Sequence, residues 1–161
     1  MKGDIMSKSL ARVVAALEAA GVETEVKEMA AETRTAEQAA AAAGCATDQI
    51  VKSIIFRGNE SGEVLLFLTA GGNRVSDEKA SSLAGEPLGK ADAALIRERT
   101  GFAIGGVSPV GHLLPVRSFL DPRLMEFSQV WAAAGTPRHI FATHPETLAQ
   151  ITGAELADFV F

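Results

Sequence analysis

The chain has 161 residues, 47% of them apolar and 22% charged, with a formal net charge of -5. Such a length fits one domain, residues 1–161, able to withdraw roughly 70% of its unfolded surface from water without covalent staples. The composition excludes a bilayer span, which needs ~20 consecutive apolar residues, and the acidic balance excludes a protein that wraps a long nucleic-acid duplex by phosphate neutralisation. Gripping a single nucleotide end stays open. The segment Met1-Lys2-Gly3-Asp4-Ile5-Met6 carries an acid and no apolar leader core, so a cytoplasmic location is expected.

In chain order, Leu10, Val13, Val14 and Leu17 recur at helical spacing and predict a helix from Ser7 to Ala20, closed by Gly21. Val22 to Met29 alternates apolar and charged residues, the period of a half-buried strand. Thr35 and Gln38 form a capping box that opens an alanine-rich helix running to Gly44. A short turn, Thr47 to Ile50, leads into two β-prone runs, Val51 to Phe56 and Val64 to Ala70, joined by a turn-rich hairpin connection. Gly71-Gly72-Asn73-Arg74 breaks the second run, and Ser76 caps a helix whose first turn holds Asp77 and Glu78. Gly85 to Gly89 reads as a loop around Pro87, and Ala91 to Arg99 as a short helix.

Phe102 to Ile104 predicts a brief strand entering Gly105-Gly106-Val107-Ser108-Pro109-Val110-Gly111-His112, which is too rich in Gly and Pro for regular structure. A strand from Val116 to Leu120, a turn at Asp121-Pro122 and a mixed segment to Ala134 follow. Gly135-Thr136-Pro137 is a turn, His139 to Ala142 a strand, His144-Pro145-Glu146 the start of a helix through Ile151, and Leu156 to Phe161 a final strand. The sum is a single mixed α+β domain, a mostly antiparallel, barrel-like sheet decorated by short helices.

Few residues offer chemistry. The one cysteine, Cys45, cannot form an internal disulfide and has no evident base beside it, so it reads as a small packed residue. His112, His139 and His144 are too scattered for a metal signature, and no metal or cofactor is expected. No Gly-x-Ser-x-Gly elbow supports a serine nucleophile at Ser53, Ser76 or Ser108. The glycine loops match no P-loop or dinucleotide fingerprint. They are either tight turns or nests of backbone N–H groups that can hold an oxyanion. Lys52, leading directly into Ser53-Ile54-Ile55-Phe56, is either a snorkelling lysine or a cation placed at the edge of a core to meet a phosphate or carboxylate.

The order of Thr35-Ala36-Glu37-Gln38-Ala39-Ala40, Ile50-Val51-Lys52-Ser53-Ile54-Ile55-Phe56, Thr100 to His112 and Ala134-Gly135-Thr136-Pro137 resembles the YbaK-like deacylases, the editing-domain family of prolyl-tRNA synthetase, over nearly the whole chain. Its most specific pieces are the lysine entering a strand and the Gly-x-x-x-Pro loop from Gly105 to Pro109. The resemblance implies a free-standing editing domain that hydrolyses the ester between a wrong amino acid, commonly alanine or cysteine, and the 3′ end of tRNA(Pro). It implies Lys52, Gly105, Gly106 and Pro109 as the catalytic set, the lysine contacting the terminal nucleotide or aminoacyl group and the loop holding the ester by backbone amides.

Thr35 and Ser53 are then expected at the aminoacyl moiety, Arg74 and Lys79 toward the tRNA end, Gly135 and His139 along the amino-acid pocket, and Ser108 and His112 as further substrate-binding residues. The implied partners are the aminoacyl-tRNA acceptor end and prolyl-tRNA synthetase, with neither membrane nor metal. Two other readings stay open: a non-catalytic module that binds a tRNA end or a synthetase, and a small-molecule esterase using the same cavity.

Overall fold

The fold was obtained as a computed structural model that describes residues 7–33 and 35–161. The Met1 to Met6 segment, on which the expectation of no leader rests, lies outside the described residues. Helix α1 (Lys8–Ala19) forms as its apolar spacing predicts: Ser7 accepts the Leu10 N–H at 3.0 Å as N-cap, and Leu10, Val13 and Leu17 are buried. Helix α2 (Ala36–Ala43) carries the predicted capping box, with Thr35 Oγ1 accepting the Gln38 N–H and Gly44 ending the helix in the left-handed region. Helices α3 (Asp77–Ala84), α4 (Ala93–Thr100) and α5 (Pro145–Thr152) start on the side chains of Ser76, Asp92 and His144. Their ends are legible in sequence because each cap satisfies N–H groups that the helix itself leaves open.

The strands are β1 (Val26–Glu28), β2 (Ile50–Gly58), β3 (Val64–Ala70), β4 (Leu88–Lys90), β5 (Arg117–Leu120), β6 (Val130–Ala133), β7 (His139–Thr143) and β8 (Glu155–Leu156). They make one mixed sheet in the order β1-β7-β6-β2-β3-β5-β8, with β4 on β2. The β1–β7, β2–β3, β2–β4 and β6–β7 ladders are antiparallel, while β2–β6, β3–β5 and β5–β8 are parallel. The long β2–β3 hairpin is the centre, and every residue of β3 is buried. One face of β3 (Leu66, Leu68, Ala70) packs on α1, Phe102 and Phe141. The other (Leu65, Phe67) packs on Phe119 and Phe159, with the Phe67 and Phe119 rings stacked at 4.9 Å.

Several expectations are corrected. Val22 to Thr24 do not join β1, because ladder partners on β7 reach only Val26 to Glu28. Phe102 to Ile104 is not a strand: Phe102 is fully buried in the core and the chain turns at Ile104 and Gly105. The 85–89 loop ends inside β4. The terminal strand shrinks to Glu155–Leu156, followed by a single Val75–Val160 bridge. The mixed segment before Ala134 contains a 3₁₀ turn (Pro122–Glu126) and β6. No helix among the described residues is long and apolar enough to cross a membrane.

Candidate active site

A cleft of about 700 Å³ opens where β2 leaves β6, between the start of α2, the 71–74 loop, the 104–107 loop and the 136–140 turn. Lys52, Ser53, Arg74, Gly105, His139 and Thr35 line it together. The volume lies within the ~300–1,000 Å³ of small-ligand sites and exceeds what one small amino acid fills. Its walls mix cations (Lys52, Arg74), one carboxylate (Glu37) and apolar side chains such as Ile55, Ile104 and Ile140.

Lys52 does not snorkel freely. Its Nζ donates to the Asn73 carbonyl at 2.5 Å. Two carboxylates from distant parts of the chain hold that carbonyl in place. Asp121, only 2% exposed, accepts the Ala70 N–H at 3.1 Å and the Asn73 amide Nδ2 at 2.9 Å through Oδ2, and the Arg123 N–H at 3.0 Å through Oδ1. Asp48 Oδ1 accepts the Gly72 N–H at 2.7 Å, and its Oδ2 pairs with Arg123 Nε at 3.0 Å. The loop is clamped from both sides. Burial pushes the Lys52 pKa below the ordinary lysine value and the nearby Arg74 cation adds to this, opposed by the carboxylates of Glu37, Asp121 and Asp48.

The glycine loop meets the cleft at one end only. Gly105 lines it at φ +92°, a conformation costly for any other residue, and neither its N–H nor that of Val107 has an intramolecular acceptor among the described residues. Gly106 serves a different purpose. Its N–H closes a turn on the Ala103 carbonyl at 3.0 Å, and a Cβ there would stand 2.8 Å from the Thr136 Cα. It lets the 104–107 and 135–137 loops touch. Gly106→Ala is expected to destabilise the fold by about 1–3 kcal/mol through overpacking against rigid backbone; urea denaturation of the variant measures it, and an unchanged midpoint would show that the two loops are not in contact.

Beyond Val107 the chain turns inward. Ser108 is fully buried, its hydroxyl accepting the Val110 N–H at 3.2 Å, and Pro109 is buried beside it. His112 bonds the Ser108 carbonyl through Nε2 at 2.7 Å, so that nitrogen carries the hydrogen, and its ring packs edge-on to Phe102. Burial lowers the His112 pKa, aided by the Arg12 charge and opposed by that bond. Gly135 backs onto the Ser9 carbonyl, and Lys79 pairs with Asp158 at 3.0 Å and the Val160 carbonyl at 2.7 Å. The structure therefore leaves Gly106, Ser108, Pro109, His112, Gly135 and Lys79 outside the cleft lining. His139 reaches it from β7 with Nδ1 bonded to the Thr136 hydroxyl at 2.6 Å.

Asn73, Asp121 and Asp48 are the residues that sequence reasoning passed over, the first as a strand break and the others as turn residues. No group of three or more His, Cys, Asp and Glu side chains able to hold a metal occurs among the described residues.

The mixed sheet and the helices around it are an architecture shared with solved proteins. Residues 30–151 match the model of the aminoacyl-tRNA editing domain, and the chain belongs to that family. It is 47% identical to a solved protein proposed to be a trans-editing enzyme for prolyl tRNA synthetase, with a TM-score of 0.91 over 98% of this chain and 99% of the other. The solved hypothetical protein APE2540 is 30% identical, with a TM-score of 0.85 over 93% of this chain and 99% of that one. The uncharacterized protein YwhH of Bacillus subtilis (strain 168) is 31% identical over 130 residues, 81% of this chain and 82% of YwhH.

Proposed function

We propose that the protein is a trans-acting deacylase that hydrolyses the ester between a small wrong amino acid, alanine or cysteine, and the 3′ end of tRNA(Pro). The observation that carries this reading is the pairing, in one cleft of a chain of the editing family, of the clamped Lys52 cation with the unpaired Gly105 N–H. An aminoacyl ester is already activated, so positioning supplies much of the rate. Lys52 holds the anionic end of the substrate. The Gly105 N–H, with Val107 behind it, faces the ester carbonyl and donates to the oxygen as it becomes an oxyanion. Water, or the neighbouring ribose hydroxyl acting on bound water, attacks the carbonyl carbon; the bond to the ribose oxygen breaks, and that oxygen takes the proton. Roles for Thr35, Ser53, Arg74 and His139 around the aminoacyl and nucleotide groups are part of the same proposal and rest on their place in the lining.

The experiment is a panel of Ala-, Cys-, Ser-, Thr- and Pro-tRNA(Pro) with the spontaneous loss of each ester subtracted. Release of alanine or cysteine with Pro-tRNA(Pro) spared is the expected result. Binding of all five without accelerated release would instead identify a non-catalytic tRNA-end module, and equal rates on simple amino-acid esters a general esterase.

A further inference from the structure

The outer edge of β2 is interrupted. Strand β6 pairs with it only at Ile50 and Val51, and β4 only from Phe56 to Gly58. Residues 52–55 thus have β3 on one side and, among the described residues, no strand on the other. Hydrogen-bond parity identifies the groups left there. Gly58 donates its N–H to the Glu63 carbonyl on the β3 side at 2.8 Å, and Asn59 donates to Pro87 on the β4 side at 2.9 Å. Backbone groups alternate along a strand, so the odd-numbered residues point outward. The open stretch presents the Ser53 N–H, the Ser53 carbonyl and the Ile55 N–H in that order, a donor, an acceptor and a donor, none with a ladder partner. The Ser53 hydroxyl is buried at the same point, also without a partner among the described residues. Native folds seldom leave such groups unpaired, which makes this edge a place for a ligand.

Its shape selects the ligand. Four residues give about 13 Å of strand, capped at both ends by β6 and β4, too little for an added peptide strand and enough for one planar heterocycle. The walls beside it are flat-ring partners: Ile55, Ile96 and Val107, with Ile104 58% exposed at the rim. Adenine carries an amino group flanked on both sides by ring nitrogens, an acceptor–donor–acceptor sequence that complements the edge. Hypoxanthine and guanine place a carbonyl oxygen in the centre and clash with the Ser53 carbonyl.

We propose that the unpaired edge of β2 at Ser53 and Ile55 is an adenine-reading site for the terminal adenosine of the tRNA. The adenine amino group donates to the Ser53 carbonyl, and a flanking ring nitrogen accepts the N–H of Ser53 or Ile55. The source of the adenine rests on the deacylase reading; the site itself does not.

The test titrates the intact protein with AMP and with IMP, following backbone amides by NMR. AMP is expected to shift the Ser53 and Ile55 amides and to bind at least about tenfold tighter than IMP, the scale of two hydrogen bonds made or reversed. Equal affinity for the two nucleotides, or AMP shifts confined to residues away from β2, would overturn the proposal. A second arm compares alanyl minihelices ending in adenosine and inosine, expected to differ by a similar factor in KM. Adenine selectivity in a protein that releases no amino acid would sink the deacylase reading and leave this site standing. Release indifferent to the terminal base would do the reverse.

Discussion

Lys52→Ala is expected to lower kcat/KM for Ala-tRNA(Pro) by about 10²-fold or more, the scale of removing one preorganised charged contact from an active site, while the melting temperature changes little. Lys52 sits near the start of β2 with its charge on the Asn73 carbonyl and belongs to none of the core clusters, so truncation opens no cavity in the core. The pH dependence supplies a second check. The ammonium form exists below the lysine pKa, and burial lowers that pKa in the folded protein. Activity that needs the cation is therefore present at lower pH and falls as pH rises through the depressed value, on the acid side of where a free lysine would titrate. Lys52→Arg keeps its charge throughout that range and should lose the alkaline limb even if its rate is lower. A wild-type rate in Lys52→Ala, or an alkaline limb unchanged in Lys52→Arg, would remove Lys52 from the chemistry.

What the sequence disclosed was what local physics fixes. Helix starts at Ser7, Thr35 and Ser76 are legible because a cap and the N–H groups it satisfies lie within three residues of one another. The hairpin of β2 and β3 is legible because its apolar runs flank a turn-rich stretch. Strand β6 is not: Val130-Trp131-Ala132-Ala133 has half its positions filled by alanine, and it is a strand because β2 and β7 pair with it on either side. The site divides along the same line. Lys52 and Gly105 are visible as a cation entering a strand and a glycine needing positive φ. Ser108, Pro109 and His112 share that loop in sequence, yet the turn after Gly105 carries them away from the cleft, a change of direction that spacing does not reveal. The interrupted edge beside Ser53 depends on where two other strands stop, which no reading of residues 50–58 alone can supply.

Asp121→Ala is expected to destabilise the fold by about 2–4 kcal/mol and to cost activity beyond that loss. The carboxylate is almost wholly buried and accepts from three donors, the Ala70 and Arg123 N–H groups and the Asn73 side chain. Removing it takes away the acceptor of the Ala70 N–H, which is fully buried at the end of the central strand. It also frees one of the two tethers on the loop whose carbonyl receives Lys52. Asp121→Asn separates these effects. It keeps the size and one acceptor oxygen, so most of the stability should remain, but it removes a negative charge that raises the Lys52 pKa. The alkaline limb of the activity profile should then move to lower pH, which a purely structural residue would not cause. Denaturant unfolding of both variants, with pH–rate profiles taken where each is fully folded, decides the matter: an Asp121→Asn profile superimposable on wild type would reduce Asp121 to a packing role.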